Sequence, residues 1–375
     1  MRDSPLTILS LVSGNCRGGS DRLALDVAKG LRAHGHRVIW GCTSDCLFTG
    51  EAHAAGLEIY ILDYSGSMDM KPLPSFMRFC GDEKINVINV HDSHGRHLLV
   101  AAKLLGLRKR VVFTRHCISG STPYVSAFFY NFIVDMNIAV SNAARKGLLR
   151  GGISRRKAVT VYGGIDLEKF EKVPPEKIAR VREKYGRSGV NIGIVAHLGL
   201  HKGRTDKPTM KRHEILFHAL ARLGGDFSLL VLGPEGETEI ESLKVIARDK
   251  GLDTDRITFC GFQKDISPFY KIMDLNILPS TNEGLGLAII EAMAAGVPCI
   301  GADSGGIREI ITDGVNGFLF KPGDSEDLAL KIRMIIENKE MREGFVGRGK
   351  EKVRALFTVE KTVLETEKIF YDLLR

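Results

Sequence analysis

Asn282-Glu283-Gly284-Leu285-Gly286-Leu287-Ala288-Ile289-Ile290-Glu291 is the stretch from which the fold of this 375-residue chain is read. Seven residues separate its two carboxylates. The apolar run Leu275–Leu278 before it has strand character, and Leu287–Ala295 has a helical pattern. Glu283 therefore falls in a loop, Gly284-Leu285-Gly286 leads into a helix N-terminus, and Glu291 lies about one turn further in. Backbone N–H groups at such an N-terminus suit a diphosphate. A carboxylate accepts two hydroxyl hydrogen bonds, so Glu291 suits a ribose diol and Glu283 a sugar diol. Taken as spacing alone, two solvated glutamates beside an ordinary turn would describe the stretch better.

The pattern around it repeats. Upstream, Val190–Leu198, Ser228–Leu232 and Ile257–Cys260 read as strands, with helical Glu214–Arg222 and Ile240–Arg248 between them; downstream, Pro298–Ile300 is a further strand. The first half alternates in the same way: strands Leu6–Ser13, Arg37–Cys42, Glu58–Leu62, Asn86–His91, Val111–Thr114 and Met136–Ser141, and helices Asp21–Ala33 and Leu98–Leu105. Short strands alternating with helices mean βαβ units and a parallel sheet. The expected fold is α/β, with two Rossmann-like doubly wound domains facing across a cleft. The boundary is placed near Tyr162–Asp166, giving residues 1–165, residues 166–354, and a C-terminal helix in 355–375 that packs back on the N-terminal domain.

Composition narrows the function classes. Hydrophobic residues make up 44% and charged residues 26%, as in soluble globular proteins. No apolar run is long enough to span a bilayer, and the N-terminus lacks a signal-peptide pattern, so a cytoplasmic location is expected. The seven cysteines are scattered and odd in number, which suits free thiols in a reducing compartment. Residues 1–165 hold 21 Lys and Arg against 12 Asp and Glu, a surplus of nine that accounts for the whole net charge of +8. A basic half suggests an anionic partner, such as a phosphorylated substrate or an acidic membrane surface. The run Arg145–Lys157 holds six of these cations. The nearby Phe128–Phe132 could enter lipid, although a buried helix is the plainer expectation. A nucleic-acid partner is not expected, because interleaved aromatics and a recognisable binding module are both missing.

Two further loops carry candidate chemistry. Gly14-Asn15-Cys16-Arg17-Gly18-Gly19-Ser20 joins the first strand to the first long helix, but is neither a G-x-G-x-x-G fingerprint nor an ATPase phosphate loop. His91-Asp92-Ser93-His94 and Arg115-His116 follow strands, where doubly wound sheets bind ligands.

The flanks of the opening stretch decide its reading. Gly261-Phe262, Asp274, Pro279-Ser280, Glu283-Gly284, Glu291 through Pro298, Gly305-Gly306-Ile307-Arg308-Glu309 and Asp313–Gly317 occur in that order. Together they resemble the family 4 retaining glycosyltransferases, the glycosyl transferases group 1 family of GT-B fold. The strong match covers roughly Ile257–Asp324, with weaker agreement at Gly18-Gly19, Val140-Ser141 and Val161–Asp166. The resemblance implies that Glu291 binds the nucleotide ribose. It implies that Glu283 and the backbone of Gly284, Leu285, Gly286 and Leu287 hold the donor sugar and diphosphate. Gly18 and Gly19 would close over the phosphate, His116 would stand beside the sugar, and the base would contact backbone near Gly233, Gly261 and Phe262.

One departure affects the diphosphate site. The family pattern has an arginine and a lysine after the first strand of the second domain, but His197 stands where the arginine is expected. For the lysine, Lys202 has the right distance from His197, whereas Lys211 better fits the start of the next helix and is favoured; Arg204 and Arg212 are further cations. The expected activity is transfer of a hexosyl group from a nucleotide-diphosphate sugar to a lipid-linked or cell-surface glycan, with retained configuration and leaving-group stabilisation by cations and a helix N-terminus. His116, Glu283 and Lys211 are the candidate catalytic residues. No D-x-D pair with suitable flanks occurs, so no essential metal and no cofactor beyond the sugar nucleotide are expected. The alternatives are a nucleotide-sugar 2-epimerase of similar fold and a catalytically decayed sugar-nucleotide-binding protein. Peripheral association with the inner membrane face is a further expectation, and the sequence leaves the oligomeric state open.

Overall fold

The computed structural model describes residues 4–12, 18–63, 69–91, 95–118, 127–196, 211–234 and 236–375. The chain divides into two compact units, Met1–Ile165 with Thr358–Arg375, and Asp166–Phe357.

The first unit is built on a parallel sheet of β1 (Thr7–Leu11), β2 (Arg37–Cys42), β3 (Glu58–Ile61), β4 (Val87–Val90), β5 (Arg110–Arg115), β6 (Met136–Ala139) and β7 (Ala158–Thr160). Its strand order is β3-β2-β1-β4-β5-β6-β7. The central strands β1, β2 and β4 are almost wholly buried, as their mainly apolar runs require when helices cover both faces. Strand β6 ends at Ala139, short of the expected Ser141. Ser141 instead caps the helix Asn142–Arg150, its hydroxyl accepting from the Ala144 N–H at 2.9 Å.

The second unit repeats the plan with β8 (Val190–Val195), β9 (Phe227–Leu232), β10 (Ile257–Gly261), β11 (Leu275–Leu278), β12 (Cys299–Ala302) and β13 (Phe318–Phe320), all parallel, in the order β10-β9-β8-β11-β12-β13. In each sheet the order reverses direction once, between β1 and β4 and between β8 and β11. Those are the topological switch points at which doubly wound sheets bind ligands. Pro298, expected to open β12, lies just before it; it has no N–H to give the ladder, but its carbonyl accepts from Asn276 N at 3.0 Å.

The C-terminal segment crosses back later than the sequence suggests. Residues Ala355 and Leu356 finish the helix Lys339–Leu356, and Phe357 is fully buried in the second unit. The unit boundary is therefore at Phe357/Thr358, and the last helix runs from Val359 to Leu374. That helix belongs to the first unit: Val363 fills the space beside Gly30, Glu367 bonds His36 at 2.7 Å, and the Tyr371 hydroxyl reaches the carbonyl of Ser4 at 3.1 Å. At the return point, Val359 N donates to Ile165 O at 3.0 Å, and Gly164 lies flat against the Thr358 carbonyl.

A methyl group on Gly164 would be driven into that carbonyl, which is backbone and has little freedom to move. Gly164→Ala is expected to cost about 3 kcal/mol or more, in the range of overpacked sites. Urea unfolding of the two proteins measures it, and a loss below about 0.5 kcal/mol would show that the junction yields.

Candidate active site

The carboxyl end of the second sheet gathers most of the predicted residues. Lys211 stands at the entry to the helix His213–Ala221, the next element after β8. Its Nζ meets Glu283 Oε1 at 2.5 Å, although the two are 72 residues apart, and both side chains are largely shielded from solvent. Arg212, next to it, adopts the left-handed backbone region at φ 59°, an uncommon and costly state for a residue with a Cβ. That kink turns the chain sharply from Lys211 into the helix, and Arg212 pairs with Glu214 at 3.3 Å.

The Glu283 loop is held from below by the turn after β12. Gly306 N donates to Glu283 O at 3.0 Å, and the Ser304 hydroxyl donates to Thr281 O at 2.5 Å. A Cβ on Gly306 would strike the Gly284 carbonyl and Leu285 Cα, so only glycine allows this approach. Gly286 has φ +103° and opens the helix Leu287–Ala295 without a side-chain cap. Leu285 is buried, which anchors the loop while its backbone turns toward the helix N-terminus. The result is a helix start next to a lysine–carboxylate pair, an arrangement that can hold an anion and a polyol together.

Glu291 lies inside the same helix. The Tyr270 hydroxyl is 2.9 Å from Glu291 Oε2 and 3.2 Å from the carbonyl of Ala288. Tyr270 is fully buried, and burial first, then the neighbouring Glu291, pushes its phenol well above the ordinary range. It therefore stays protonated and donates, fixing one carboxylate oxygen. Sequence reading missed Tyr270. The available signal was a tyrosine, whose hydroxyl needs a buried acceptor, in the largely apolar stretch Pro268–Met273, broken only by Lys271. Gly233 (φ +119°) and Gly261 (φ +68°), both at strand ends, are joined by a 3.0 Å bond from Gly233 N to Gly261 O. Phe262 beside them is exposed.

The first unit presents His116 at the carboxyl end of β5, in a line of hydrogen bonds. The Thr114 hydroxyl donates to Asn89 Oδ1 at 2.9 Å, and Asn89 Nδ2 lies 3.1 Å from His91 Nε2. His91 Nδ1 lies 3.1 Å from His116 Nε2. With Asn89 donating, His91 carries its proton on Nδ1 and gives it to His116 Nε2, which leaves the His116 proton on Nδ1. Burial, with a smaller contribution from His116, holds His91 neutral. His91 is thus a buried support for His116 rather than a surface ligand. Gly18 precedes the helix Gly19–Ala33 in extended conformation, and its N–H already donates to the Asp21 carboxylate at 3.1 Å. His94, His197, Lys202 and Arg204 lie outside the described residues. Phe132 is exposed and Phe128 half-exposed, while Tyr130 and Ile133 are buried, so the expected buried helix is instead a π-helix, Phe129–Ile133, with one face in solvent.

Two family models match the chain: Glycosyltransferase Family 4 over residues 17–169 and Glycosyl transferases group 1 over residues 202–352. The chain belongs to the group 1 glycosyl transferases. It is similar over 96% of its length to the N-acetyl-alpha-D-glucosaminyl L-malate synthase of Bacillus anthracis, at 26% identity and over 95% of that protein. It is 27% identical to the lipopolysaccharide 1,6-galactosyltransferase of Salmonella typhimurium over 55% of this chain and 53% of that one. Among solved structures, Anabaena HepE in complex with UDP-glucose matches with a TM-score of 0.84 at 23% identity, over 98% of this chain and all of that one. The protein is a glycosyltransferase, and its two Rossmann-like units are those of the GT-B fold. Among the described residues, no helix of this glycosyltransferase is long and apolar enough to cross a membrane.

Its buried histidines make stability pH-dependent. His213, fully buried behind Lys211, is pushed down to about 3, chiefly by burial and then by the lysine charge. His91 is also lowered. Both rings are neutral when folded and regain the ordinary value of 6.5 when unfolded. The unfolded chain binds more protons below pH 6.5, so stability is fully present above that value and is lost as pH falls, by up to about 1.4 kcal/mol per unit for each ring. His213→Gln is expected to flatten the acid limb of stability against pH by one ring's share, measured by urea unfolding between pH 7 and about pH 5. Parallel limbs for the two proteins would count against it.

Proposed function

We propose that this glycosyltransferase moves a sugar from a nucleotide-diphosphate donor to a lipid-linked or cell-surface glycan, with retention of anomeric configuration. The observation that carries this reading is the Lys211–Glu283 pair beside the uncapped start of the helix Leu287–Ala295. The lysine and the helix N-terminus would neutralise the diphosphate as negative charge develops on it. Glu283 would accept hydroxyls of the donor sugar, and the backbone of Gly284, Leu285, Gly286 and Leu287 would follow the sugar and phosphates. Glu291, oriented by Tyr270, would hold the ribose diol with its other oxygen. The base would rest on the backbone at Gly233, Gly261 and Phe262. In the first unit, Gly18 and Gly19 would face phosphate, and His116 would offer its Nδ1–H to a sugar hydroxyl. His197 and Lys202 complete the proposed donor contacts.

In the transfer, the bond from the anomeric carbon to the diphosphate oxygen breaks and the acceptor oxygen takes its place on the same face. The acceptor's proton passes to the departing phosphate. Retention rests on the family resemblance. The donor class is supported by the complex of HepE with UDP-glucose, and the acceptor class by the Salmonella lipopolysaccharide enzyme. The name of the Bacillus anthracis protein adds a second acceptor class, a small anionic hydroxy acid, which the surplus of nine positive charges in residues 1–165 would also favour. We place the enzyme in the cytoplasm, at the inner membrane face when bound, with no essential metal.

A thermal-shift screen with UDP, GDP, ADP and their sugars tests the donor. A ligand at about 100 times its Kd adds about 2.7 kcal/mol to the folded state, so one nucleotide series is expected to raise the melting temperature by several degrees. Lys211→Ala is expected to lower kcat by about 100-fold or more, and Glu291→Gln to raise the donor KM by about tenfold. No shift with any nucleotide would overturn the donor reading. Activity is further expected to survive excess chelator; complete loss that magnesium restores would sink the metal-free mechanism.

A further inference from the structure

Four connections in the first unit run into neighbouring strands at the amino-terminal edge of its sheet. Residues 83–86 lead into β4, 105–109 into β5, 134–135 into β6 and 151–157 into β7. Those strands are consecutive in the sheet, so their entry loops line up about 4.8 Å apart. This edge lies opposite His116, which follows the carboxyl end of β5.

The edge combines two features that a soluble surface rarely joins. Leu104, Leu105 and Phe132 are 73%, 67% and 74% exposed, the three most exposed large hydrophobic residues among those described. The helix Arg96–Leu104 and the π-helix Phe129–Ile133 that carry or adjoin them pack against each other. Lys103 bonds Asp135 at 3.4 Å, tying the end of the helix Arg96–Leu104 to the segment that follows the π-helix. The Phe128 ring lies 5.2 Å from that of Phe132. At the entries to β4 and β5 is a cavity of about 500 Å³ lined by the cations Lys103, Arg108, Lys109 and Arg110 together with Ile85 and Leu374. Asp135 offsets part of this charge through Lys103 and Arg110. On the other side of the π-helix, Asn131 bonds Gly152 O and Ser154 N at 2.9 and 2.8 Å, which brings the exposed Arg155 and Arg156 alongside.

We propose that this edge docks on an anionic phospholipid bilayer, with a lipid headgroup phosphate in the Lys103–Arg110 cavity and Leu104, Leu105 and Phe132 entering the acyl boundary. Charge complementarity names the partner: apolar side chains ringed by cations suit a negatively charged lipid surface, and neither feature alone would. Nucleic acid would use the cations but leave the leucines in water. The proposal extends the membrane-face reading above to a specific surface and does not depend on the donor site.

The test is co-sedimentation with phosphatidylcholine vesicles, with and without phosphatidylglycerol, using wild type, the pair Leu104→Ser with Leu105→Ser, the pair Arg108→Glu with Lys109→Glu, and a control pair, Lys321→Glu with Lys339→Glu, exposed on the second unit. Wild type and control are expected to bind only the phosphatidylglycerol vesicles. Each edge pair is expected to weaken that binding by at least about tenfold, since each cation near such a surface contributes about fivefold. Equal binding to both vesicle types, or equal loss in the control pair, overturns the proposal. So does a wild-type dimer that the leucine pair converts to monomer while vesicle binding is unchanged, because the face would then join two copies. Melting temperature with and without the donor nucleotide is measured on every variant. Lost vesicle binding with an intact nucleotide shift keeps this surface separate from the donor site, and a lost nucleotide shift in wild type would fault the donor reading alone.

Discussion

The absence of a side chain at Gly306 sets the geometry of the Glu283 loop in the second unit. Its backbone lies against the Gly284 carbonyl so closely that no Cβ fits between them. That contact holds the Glu283 loop on the turn after β12, and the Gly306 N–H to Glu283 carbonyl bond fixes its height. With the loop so placed, Gly286 can take its left-handed conformation and start a helix whose first N–H groups are not covered by a side-chain cap. Glu283 and Glu291 acquire their relation to each other from this geometry. Seven intervening residues would not produce it in a loop free to move.

Charge arranges the rest of that end. Glu283 is close enough to Lys211 to pair with it. A carboxylate and an ammonium held together remain nearly neutral, so the pair avoids the cost of a shielded single charge. The pair also ties the entry of the helix His213–Ala221 to the Glu283 loop, 72 residues further along the chain. His213 fits this account: a neutral ring behind Lys211 adds no second positive charge where the lysine is already shielded.

The local elements were legible in the sequence to the degree that apolar periodicity defined them. Strand β2 and the helix Leu287–Ala295 have the bounds that their apolar runs suggest, and β11 does too. The helix Leu73–Asp82 escaped notice because prolines and a glycine interrupt its pattern. The boundary at Phe357 could not be seen, since what moves it is a contact between residues far apart in sequence, Thr358 against Gly164. The same limit hid Tyr270, whose partner is 21 residues away. His116 was visible by its place at a strand end, but the line from Thr114 through Asn89 and His91 that sets its proton depends on the pairing of β4 with β5. The Phe128–Phe132 run was misjudged because aromatic residues usually mean burial, whereas a π-helix turns Tyr130 and Ile133 inward and Phe132 out.

The two ends of β5 bear on what kind of acceptor such an enzyme can serve. Arg110 opens the strand on the basic edge, and Arg115 closes it next to His116. Five residue steps separate them, roughly 17 Å at 3.3–3.4 Å per residue. A bilayer met at the Arg110 end would therefore leave His116 farther from the lipid than a bare headgroup extends. An acceptor presented there would need length of its own, as a glycan already several sugars long has, or freedom from the membrane, as a small hydroxy acid has. Docking at this edge thus favours elongation of an existing chain, or glycosylation of a soluble acid, over addition of the first sugar to a lipid.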